Sequence, residues 1–294
     1  MTSPRLLRIA TRGSLQARTQ TEHVAHLLGE TGRKVELVLV STTGDQHPDV
    51  ALHTIGGQGV FVKEVQQAVL DGRADLAVHS AKDLPSGPAD GLTIAAFGRR
   101  RDPADCLVGR GLDDLADGAT VATGSVRREA QLRLLRPDLA FVGLRGNIPT
   151  RLTKIPSDGA IVMAVAALEW LGQSSMVAYA FTLGQMVPQV GQGALAVECR
   201  TDDADAAGVL AACVDDSPTR AAVTAERAFL AELGSGCDLP VGAHGELRSD
   251  GRMALHVFLA ENGRHHFDVV EGDVDGSVRW AAEAARAAQA AVRS

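Results

Sequence analysis

The feature that most constrains the fold of this 294-residue chain is a repeated order of apolar strand, polar turn and helix. In the first hundred residues the strand-like segments are Arg8–Thr11, Lys34–Val40, Leu76–His79 and Leu92–Phe97. Apolar residues between the first two segments recur at helical spacing, and Ser14 stands where a helix cap is expected. Strands that alternate with helices pair in parallel, with the helices packed on the faces. This region therefore predicts an α/β unit.

The same order restarts after the charged junction Arg99–Pro103, which is a candidate hinge. The strand-like segments of this second α/β unit are Thr120–Thr123, Ala140–Leu144 and Gly159–Ala166. A further strand, Val190–Glu198, is interrupted by glycines and is expected to cross back to the first unit.

Beyond Ser217 the pattern changes to a helix followed by alternating strands. Arg252–Ala260 and His265–Glu271 predict antiparallel strands joined by a hairpin turn at Glu261–Arg264. An alanine-rich helix, Val278–Val292, follows. This part predicts a smaller α+β domain.

Composition excludes several classes of function. A net charge of −7 argues against general polyanion binding, and an aromatic content of 3% is too low for base-stacking surfaces, so no nucleic-acid partner is expected. No apolar run approaches the length of a membrane span. The N-terminal segment lacks the apolar stretch of a secretion signal, which predicts a cytoplasmic protein.

The four cysteines are widely spaced and show no Cys-x-x-Cys pattern. Cys106 and Cys199 are expected to be small buried hydrophobes, and Cys213 fits a helix face. Cys237 differs, because it lies in a glycine-punctuated loop where a thiol is more accessible. The histidines show no ligand spacing beside an acid pair, so no metal site is predicted.

Cationic and small polar residues recur where the predicted strands end. Each cation taken alone fits an ordinary surface side chain. Together they predict a ligand with several carboxylates, because the planar guanidinium of arginine binds carboxylate through two hydrogen bonds. The residues are Arg12, Ser14, Lys82, Thr123, Ser125, Arg127, Arg128, Arg145 and Arg151.

One acid, Asp83, stands among these cations at the end of the strand Leu76–His79. Nearby cations favour its ionised form, in which it would stabilise a cationic intermediate or pass a proton to a leaving amine. The alternative is a cap or turn residue before Pro85. His79 is expected to pack at the strand end rather than to act in catalysis.

These motifs resemble the porphobilinogen deaminase (hydroxymethylbilane synthase) family along essentially the whole chain. The segments that carry the resemblance are Arg8–Ser14, Gly59–Glu64, Ala77–Pro85, Arg127–Arg128, Leu144–Asn147, Thr150–Leu152, Val190–Ala194, Ala225–Ala228, Gly236–Cys237 and Pro240–Gly242.

The resemblance implies two α/β domains like those of periplasmic binding proteins, flanking a hinged cleft, and a smaller C-terminal α+β domain with an antiparallel sheet. The expected boundaries are residues 1–98 with 194–214, residues 99–193 and residues 215–294. It also implies a monomeric transferase of tetrapyrrole biosynthesis that condenses four molecules of porphobilinogen into hydroxymethylbilane, each losing ammonia. A dipyrromethane cofactor, held on Cys237 by a thioether, would prime the reaction.

Residue roles follow from the same resemblance. Asp83 would assist the loss of ammonia and stabilise cationic pyrrole intermediates, and Phe61 would pack against the pyrroles. Cofactor and substrate would be bound by Arg12, Ser14, Ser80, Lys82, Thr123, Ser125, Arg127, Arg128, Arg145, Gly146, Asn147, Arg151 and Gln192.

The chain departs from the family pattern at several positions. Gln58 and Met176 stand where the family often has cations, Gly124 replaces a common serine, and Leu15–Gln16 replaces Pro-Leu. Two alternatives therefore remain beside the leading hypothesis. One is a paralogue with an altered substrate, and the other is a non-catalytic polycarboxylate-binding or sensor protein.

Overall fold

The computed structural model describes residues 5–42, 59, 61–87, 89–234 and 239–294. The strands within these ranges are β1 (Leu7–Arg12), β2 (Val35–Val40), β3 (Leu76–Ser80), β4 (Leu92–Gly98), β5 (Asp105–Gly109), β6 (Thr120–Ala122), β7 (Ala140–Val142), β8 (Ala160–Ala164), β9 (Val177–Ala180), β10 (Leu195–Arg200), β11 (Val241–Leu247), β12 (Arg252–Glu261) and β13 (Arg264–Asp273). The helices are α1 (Leu15–Glu30), α2 (Lys63–Leu70), α3 (Val126–Leu135), α4 (Ile148–Leu152), α5 (Val165–Trp170), α6 (Ala204–Cys213), α7 (Ser217–Leu233) and α8 (Ser277–Arg293).

The chain divides into two compact units. The first comprises Met1–Arg101 with Ala194–Arg220, and the second comprises Asp102–Gly193 with Ala221–Ser294. The three domain boundaries expected from the sequence remain a prediction, because this division places the C-terminal sheet and the second α/β sheet in one unit.

The first unit contains a five-stranded sheet in the order β2-β1-β3-β10-β4. β1 pairs in parallel with β2 and β3, whereas β10 runs antiparallel to β3 and β4. The expected return of a late strand to the first sheet is confirmed, but the strand begins at Leu195 rather than Val190. Gly191 and Gly193 have φ values of 72° and 88°, and this left-handed backbone forms a turn before the strand.

The second unit contains a sheet of the same pattern, in the order β7-β6-β8-β5-β9. β5 runs antiparallel to β8 and β9, and neither β5 nor β9 was predicted from the sequence. In both sheets the antiparallel strand starts at the edge where a parallel neighbour ends. Leu195 pairs with Ser80 in the first sheet, and Asp105 pairs with Ala164 in the second.

The third sheet, β11-β12-β13, is antiparallel and forms a small α+β domain with α7 and α8. The predicted hairpin turn is present, with Asn262 at φ 53° and Gly263 at φ 78°. Residues such as Phe229, Met253 and Ala285 from these elements share one apolar cluster. The predicted fold class, two α/β sheets and a C-terminal antiparallel sheet, is confirmed.

Buried aliphatic side chains build the cores, as the scarcity of aromatic residues requires. Cys106 and Cys199 are fully buried within the sheets, which confirms the expectation for both. Burial raises the pKa of the Cys106 thiol to about 12, so this thiol stays protonated at neutral pH.

Candidate functional site

In the first unit, the C-terminal end of β1 places Arg12 beside an aromatic ring. The guanidinium carbon of Arg12 lies 3.9 Å from the centroid of the Phe61 ring, a cation–π contact. Ser14 caps α1, since its Oγ accepts a hydrogen bond from the backbone N–H of Ala17 at 3.3 Å. The predicted cap is confirmed, and both Arg12 and Phe61 are partly exposed.

The end of β3 leads into the turn that carries Lys82 and Asp83. The backbone N–H of Ala81 donates to the carbonyl of Ala194 at 2.9 Å, and Ser80 Oγ donates to Gln20 Oε1 of α1 at 3.1 Å. A single 3₁₀ turn, Ala81–Asp83, follows. The turn is therefore fixed by the adjacent strand and by the helix over it.

Asp83 is partly exposed. Within the part of the chain that the structure describes, its carboxylate makes no hydrogen bond or ion pair, and it caps no helix. Both carboxylate oxygens are therefore available to a ligand, as an acid that acts on a substrate requires.

In the second unit, the turn after β6 repeats the serine cap of the first. Ser125 Oγ accepts from the backbone N–H of Arg128 at 3.4 Å, and Thr123 Oγ1 accepts from the N–H of Ser125 at 3.2 Å. A Cβ on Gly124 would lie 2.6 Å from the carbonyl oxygen of Leu144. A side chain at position 124 would therefore collide with this backbone oxygen unless the turn shifted.

Arg127 and Arg128 extend from α3 into the protein and share the carboxylate of Asp105. Arg127 Nη1 lies 2.7 Å from Oδ2, and Arg128 Nε lies 2.8 Å from Oδ1. The two guanidinium groups also donate to the carbonyl oxygens of Val187 and Val162. Burial by itself would raise the pKa of Asp105, but the charges of both arginines hold it well below its usual range. The cluster thus carries two positive charges and one negative charge.

Gln192 completes this buried network. Its side-chain amide donates to Asp105 Oδ1 at 3.0 Å and to the carbonyl oxygen of Pro103 at 2.8 Å. The glycine turn around Gln192 therefore joins the start of β5.

Asp105 was missed in the sequence because its partners lie far from it in the chain. The signal that would have found it is an acid placed directly before the apolar run Cys106–Val108.

The turn between β7 and α4 holds the remaining predicted residues of the second unit. Gly146 has a φ of 111°, and its carbonyl accepts from Arg151 Nε at 2.7 Å. Asn147 caps α4 through its Oδ1, which accepts from the N–H of Thr150 at 3.0 Å. The carbonyl of Arg145 accepts from Lys154 Nζ at 3.1 Å. Arg145 and Arg151 are partly exposed, unlike the buried arginines of α3.

Cys237, the predicted site of cofactor attachment, and Gln58, a departure from the family pattern, lie outside the described residues. Met176, which stands where the family often has a cation, packs against an apolar cluster of the second unit. Across the described ranges, no group of three or more His, Cys, Asp or Glu side chains is arranged to hold a metal ion. None of the described helices has both the length and the apolar composition needed to cross a membrane.

The architecture defines an α/β protein with two mixed five-stranded sheets, in which arginines and a lysine follow the strand ends. The family model described as "Porphobilinogen deaminase, dipyromethane cofactor binding domain" matches residues 7–208, and the model of the porphobilinogen deaminase C-terminal domain matches residues 220–289. The chain belongs to the porphobilinogen deaminase family.

Relatives agree with this assignment. The chain is 52% identical over 271 residues to porphobilinogen deaminase of Acidothermus cellulolyticus, covering 89% of this chain and 82% of the relative. It is 48% identical over 256 residues to porphobilinogen deaminase of Thermobifida fusca, covering 85% of this chain and 80% of the relative.

Among solved structures, the methionine-binding protein MetQ matches 73% of this chain and 92% of its own, with 13% identity and a TM-score of 0.47.

Proposed function

We propose that this protein condenses four molecules of porphobilinogen head to tail into hydroxymethylbilane, as a transferase of tetrapyrrole biosynthesis. Each condensation breaks the bond between the aminomethyl carbon and nitrogen of one substrate, releases ammonia, and joins that carbon to the free α-carbon of a pyrrole, which loses a proton. On release, the bond between the priming pyrrole and the aminomethyl-derived carbon of the first substrate would break; water would supply the hydroxyl group to that carbon and a proton to the pyrrole carbon. The observation that carries the proposal is the partly exposed carboxylate of Asp83, which has no partner among the described residues and lies beside Lys82 in a chain of this family.

The described residues fit a dipyrromethane cofactor. A dipyrromethane carries acetate and propionate groups, and the partly exposed Arg12, Lys82, Arg145 and Arg151 offer donors suited to carboxylates. When bound through Cys237, the cofactor supplies the pyrrole carbon to which the first substrate is joined.

Asp83 is proposed to act at the substrate amine. Its carboxylate holds the proton that leaves with ammonia, and its negative charge stabilises the positive charge that develops on the pyrrole. Because no side chain of the described residues binds this carboxylate, it can take both roles without breaking an ion pair to those residues.

The binding residues are proposed to divide into two kinds. Arg12 stacks on Phe61, so its guanidinium keeps one face against an aromatic ring while its N–H groups bind a carboxylate. Arg127 and Arg128 are each bonded to Asp105 before any ligand binds, so half of their combined charge is already balanced. Ser14, Ser80, Thr123, Ser125, Gly146, Asn147 and Gln192 are proposed to bind or orient the ligand.

We further propose that the protein acts as a monomer in the cytoplasm, without a nucleic-acid or membrane partner. Family membership and the net charge of −7 support this. The substitutions at Gln58 and Met176 leave open a specialised paralogue, for which porphobilinogen itself would be a poor substrate.

Intact-mass measurement combined with an assay of porphobilinogen tests the proposal. The protein, expressed with porphobilinogen available, is expected to carry an adduct of two pyrrole units and to yield uroporphyrin after cyclisation and oxidation of its product. Cys237→Ser is expected to lose both the adduct and the activity. Cys213→Ser is the matched control and is expected to keep both.

An unmodified wild-type mass would contradict the enzyme and favour a polycarboxylate-binding protein. An adduct without turnover of porphobilinogen would favour the paralogue with an altered substrate.

A further inference from the structure

A buried polar network lies directly behind the end of β3, in the first unit. His79 Nε2 of β3 lies 3.0 Å from Glu198 Oε2 of β10, a close polar contact that lacks hydrogen-bond geometry, and their side chains are only 3% and 4% exposed. The side-chain amide of Gln66, from α2, donates to both oxygens of the same carboxylate at 3.1 and 2.9 Å. Three elements thus meet at one buried carboxylate.

The network lies next to the turn that carries Asp83. His79 is four residues before Asp83 and pairs with Ala196 of β10 in the sheet register. Successive side chains of a strand point to opposite faces, so Ser80 faces the other side, where it donates to Gln20 of α1. The end of β3 is therefore held on one face by His79 and on the other by Ser80.

Stability alone does not account for a carboxylate in this position. Removing a carboxylate from water is costly, and apolar residues of similar volume often stabilise a core as well as a buried ion pair does. What a buried polar network adds over apolar packing is directional contacts, which fix one arrangement of the groups it joins.

We infer that Glu198 and His79, supported by Gln66, are positioning residues that set the place of Asp83. The inference rests on the proposed function of Asp83. Neither residue touches the substrate. The pair fixes His79, the residue before the last of β3, and that placement is transmitted through Ser80 and one 3₁₀ turn to the carboxylate.

Kinetics of three variants test this role. Glu198→Gln keeps the size of the side chain and removes its charge. We expect kcat to fall by about 10- to 100-fold, because moving a catalytic group by about 1 Å lowers the reaction rate by up to about 100-fold. KM is expected to stay within about 3-fold, since the carboxylate-binding cations are unchanged. His79→Ala is expected to behave in the same way, whereas His79→Gln, which retains an N–H near Nε2, is expected to recover most of kcat.

Val69→Ala is the matched control. Val69 is fully buried on α2, the helix that carries Gln66, and belongs to the apolar core under the same sheet. This variant lowers stability by a loss of packing without touching the network. A lower melting temperature with unchanged kcat is expected. If Glu198→Gln likewise lowered the melting temperature but left kcat unchanged, the positioning role would be overturned.

Amide hydrogen exchange of the full-length protein gives a readout that does not depend on activity. The N–H groups of Ala81 and Leu84 are bonded to Ala194 and Ala81. Glu198→Gln is expected to speed exchange across Ala81–Leu84 by about 10-fold or more relative to Val69→Ala, because local opening governs exchange. Equal protection in both variants would overturn the inference. Absence of porphobilinogen turnover in the wild-type protein would instead contradict the proposed function, and the exchange comparison would still decide the positioning role.

Discussion

The two α/β sheets share one topology, yet the acid at the corresponding edge of each sheet differs in burial and in bonding. In the first sheet Asp83 follows the end of a parallel strand, is partly exposed and has no partner among the described side chains. In the second sheet Asp105 starts the antiparallel strand at the corresponding edge, is fully buried and binds Arg127, Arg128 and Gln192. The comparison teaches that burial and pairing, rather than position on the sheet, decide whether an acid is available for chemistry.

The arginines of the two sheets differ in burial in the same way as the two acids. Arg12 of the first sheet lies on an aromatic ring and remains partly exposed, whereas Arg127 and Arg128 of the second are buried. Burial by itself lowers the pKa of Arg127, and the carboxylate of Asp105 opposes that effect. A buried arginine pair without Asp105 would carry two unbalanced charges, so the second sheet needs an internal acid that the first does not.

The largest effect is expected from Asp83→Asn, and it should fall on rate alone. We expect turnover of porphobilinogen to drop by about 10²- to 10⁴-fold, because the variant cannot exchange a proton with the leaving amine. The melting temperature should be unchanged, since none of the residues that the structure describes bonds to this carboxylate. Steady-state kinetics and thermal unfolding measure the two quantities, and Asp90→Asn, an exposed acid of the same unit, is the control. Turnover like that of the wild type would remove Asp83 from the mechanism.

Asp105→Asn is expected to show the reverse pattern, with its main effect on the free energy of unfolding. Removing one partner of a buried ion pair costs about 3–5 kcal/mol, because the remaining charges stay uncompensated. Denaturant unfolding measures the loss, with Asp138→Asn as the control, since Asp138 pairs with Arg136 at an exposed site of the same unit. If Asp105→Asn were as stable as the control, the contrast between the two acids would fail.

A smaller structural difference separates the turns before the two capping serines. Gly13 of the first sheet has no atom within 4 Å of an added Cβ, whereas Gly124 of the second would place a Cβ 2.6 Å from the carbonyl oxygen of Leu144. Gly124→Ala should therefore destabilise the protein by about 1–3 kcal/mol, the usual cost of overpacking. Gly13→Ala should be close to neutral. Equal melting temperatures for the two variants would show that the turns are equally open.

The sequence predicted the parts of this comparison that depend on local pattern. The apolar strands, the Ser14 cap and the cations after the strands lie in segments of strong periodicity. The sequence could not predict the pairing of Arg127 and Arg128 with Asp105, because the partners are separated by 22 and 23 residues and meet only once β5 joins the sheet. β5 itself is five residues long, too short to show a reliable period.

Burial was also inaccessible from sequence. Arg12 is the last residue of β1 and Arg127 lies in the first turn of α3, so both stand where a strand leads into a helix, and only packing makes the first partly exposed and the second buried. The same applies to Glu198, whose partners His79 and Gln66 come from β3 and α2. Local sequence indicates on which element a charged residue lies, whereas tertiary contacts determine its burial and its partners.

The smallest effect is expected at Asp75, a buried acid of the first unit that precedes β3. Burial by itself would raise its pKa, but hydrogen bonds from Arg8 and Arg5 lower it to about 2, from an ordinary value of 3.8. A carboxylate with a lowered pKa contributes stability above its unfolded pKa and loses it as pH falls through the folded value. The contribution should therefore disappear between about pH 4 and pH 2.

We expect this contribution to be about 1–2 kcal/mol, less than that of Asp105, because Arg5 and Arg8 are partly exposed and water screens their charges. Unfolding measured across this pH range should show a shallower acid loss in Asp75→Asn than in the wild type. Parallel acid profiles would assign the acid sensitivity to other carboxylates. A loss in Asp75→Asn as large as that in Asp105→Asn would show that exposed arginines neutralise a buried acid as strongly as buried ones, and the contrast between the two units would then rest on Asp83 alone.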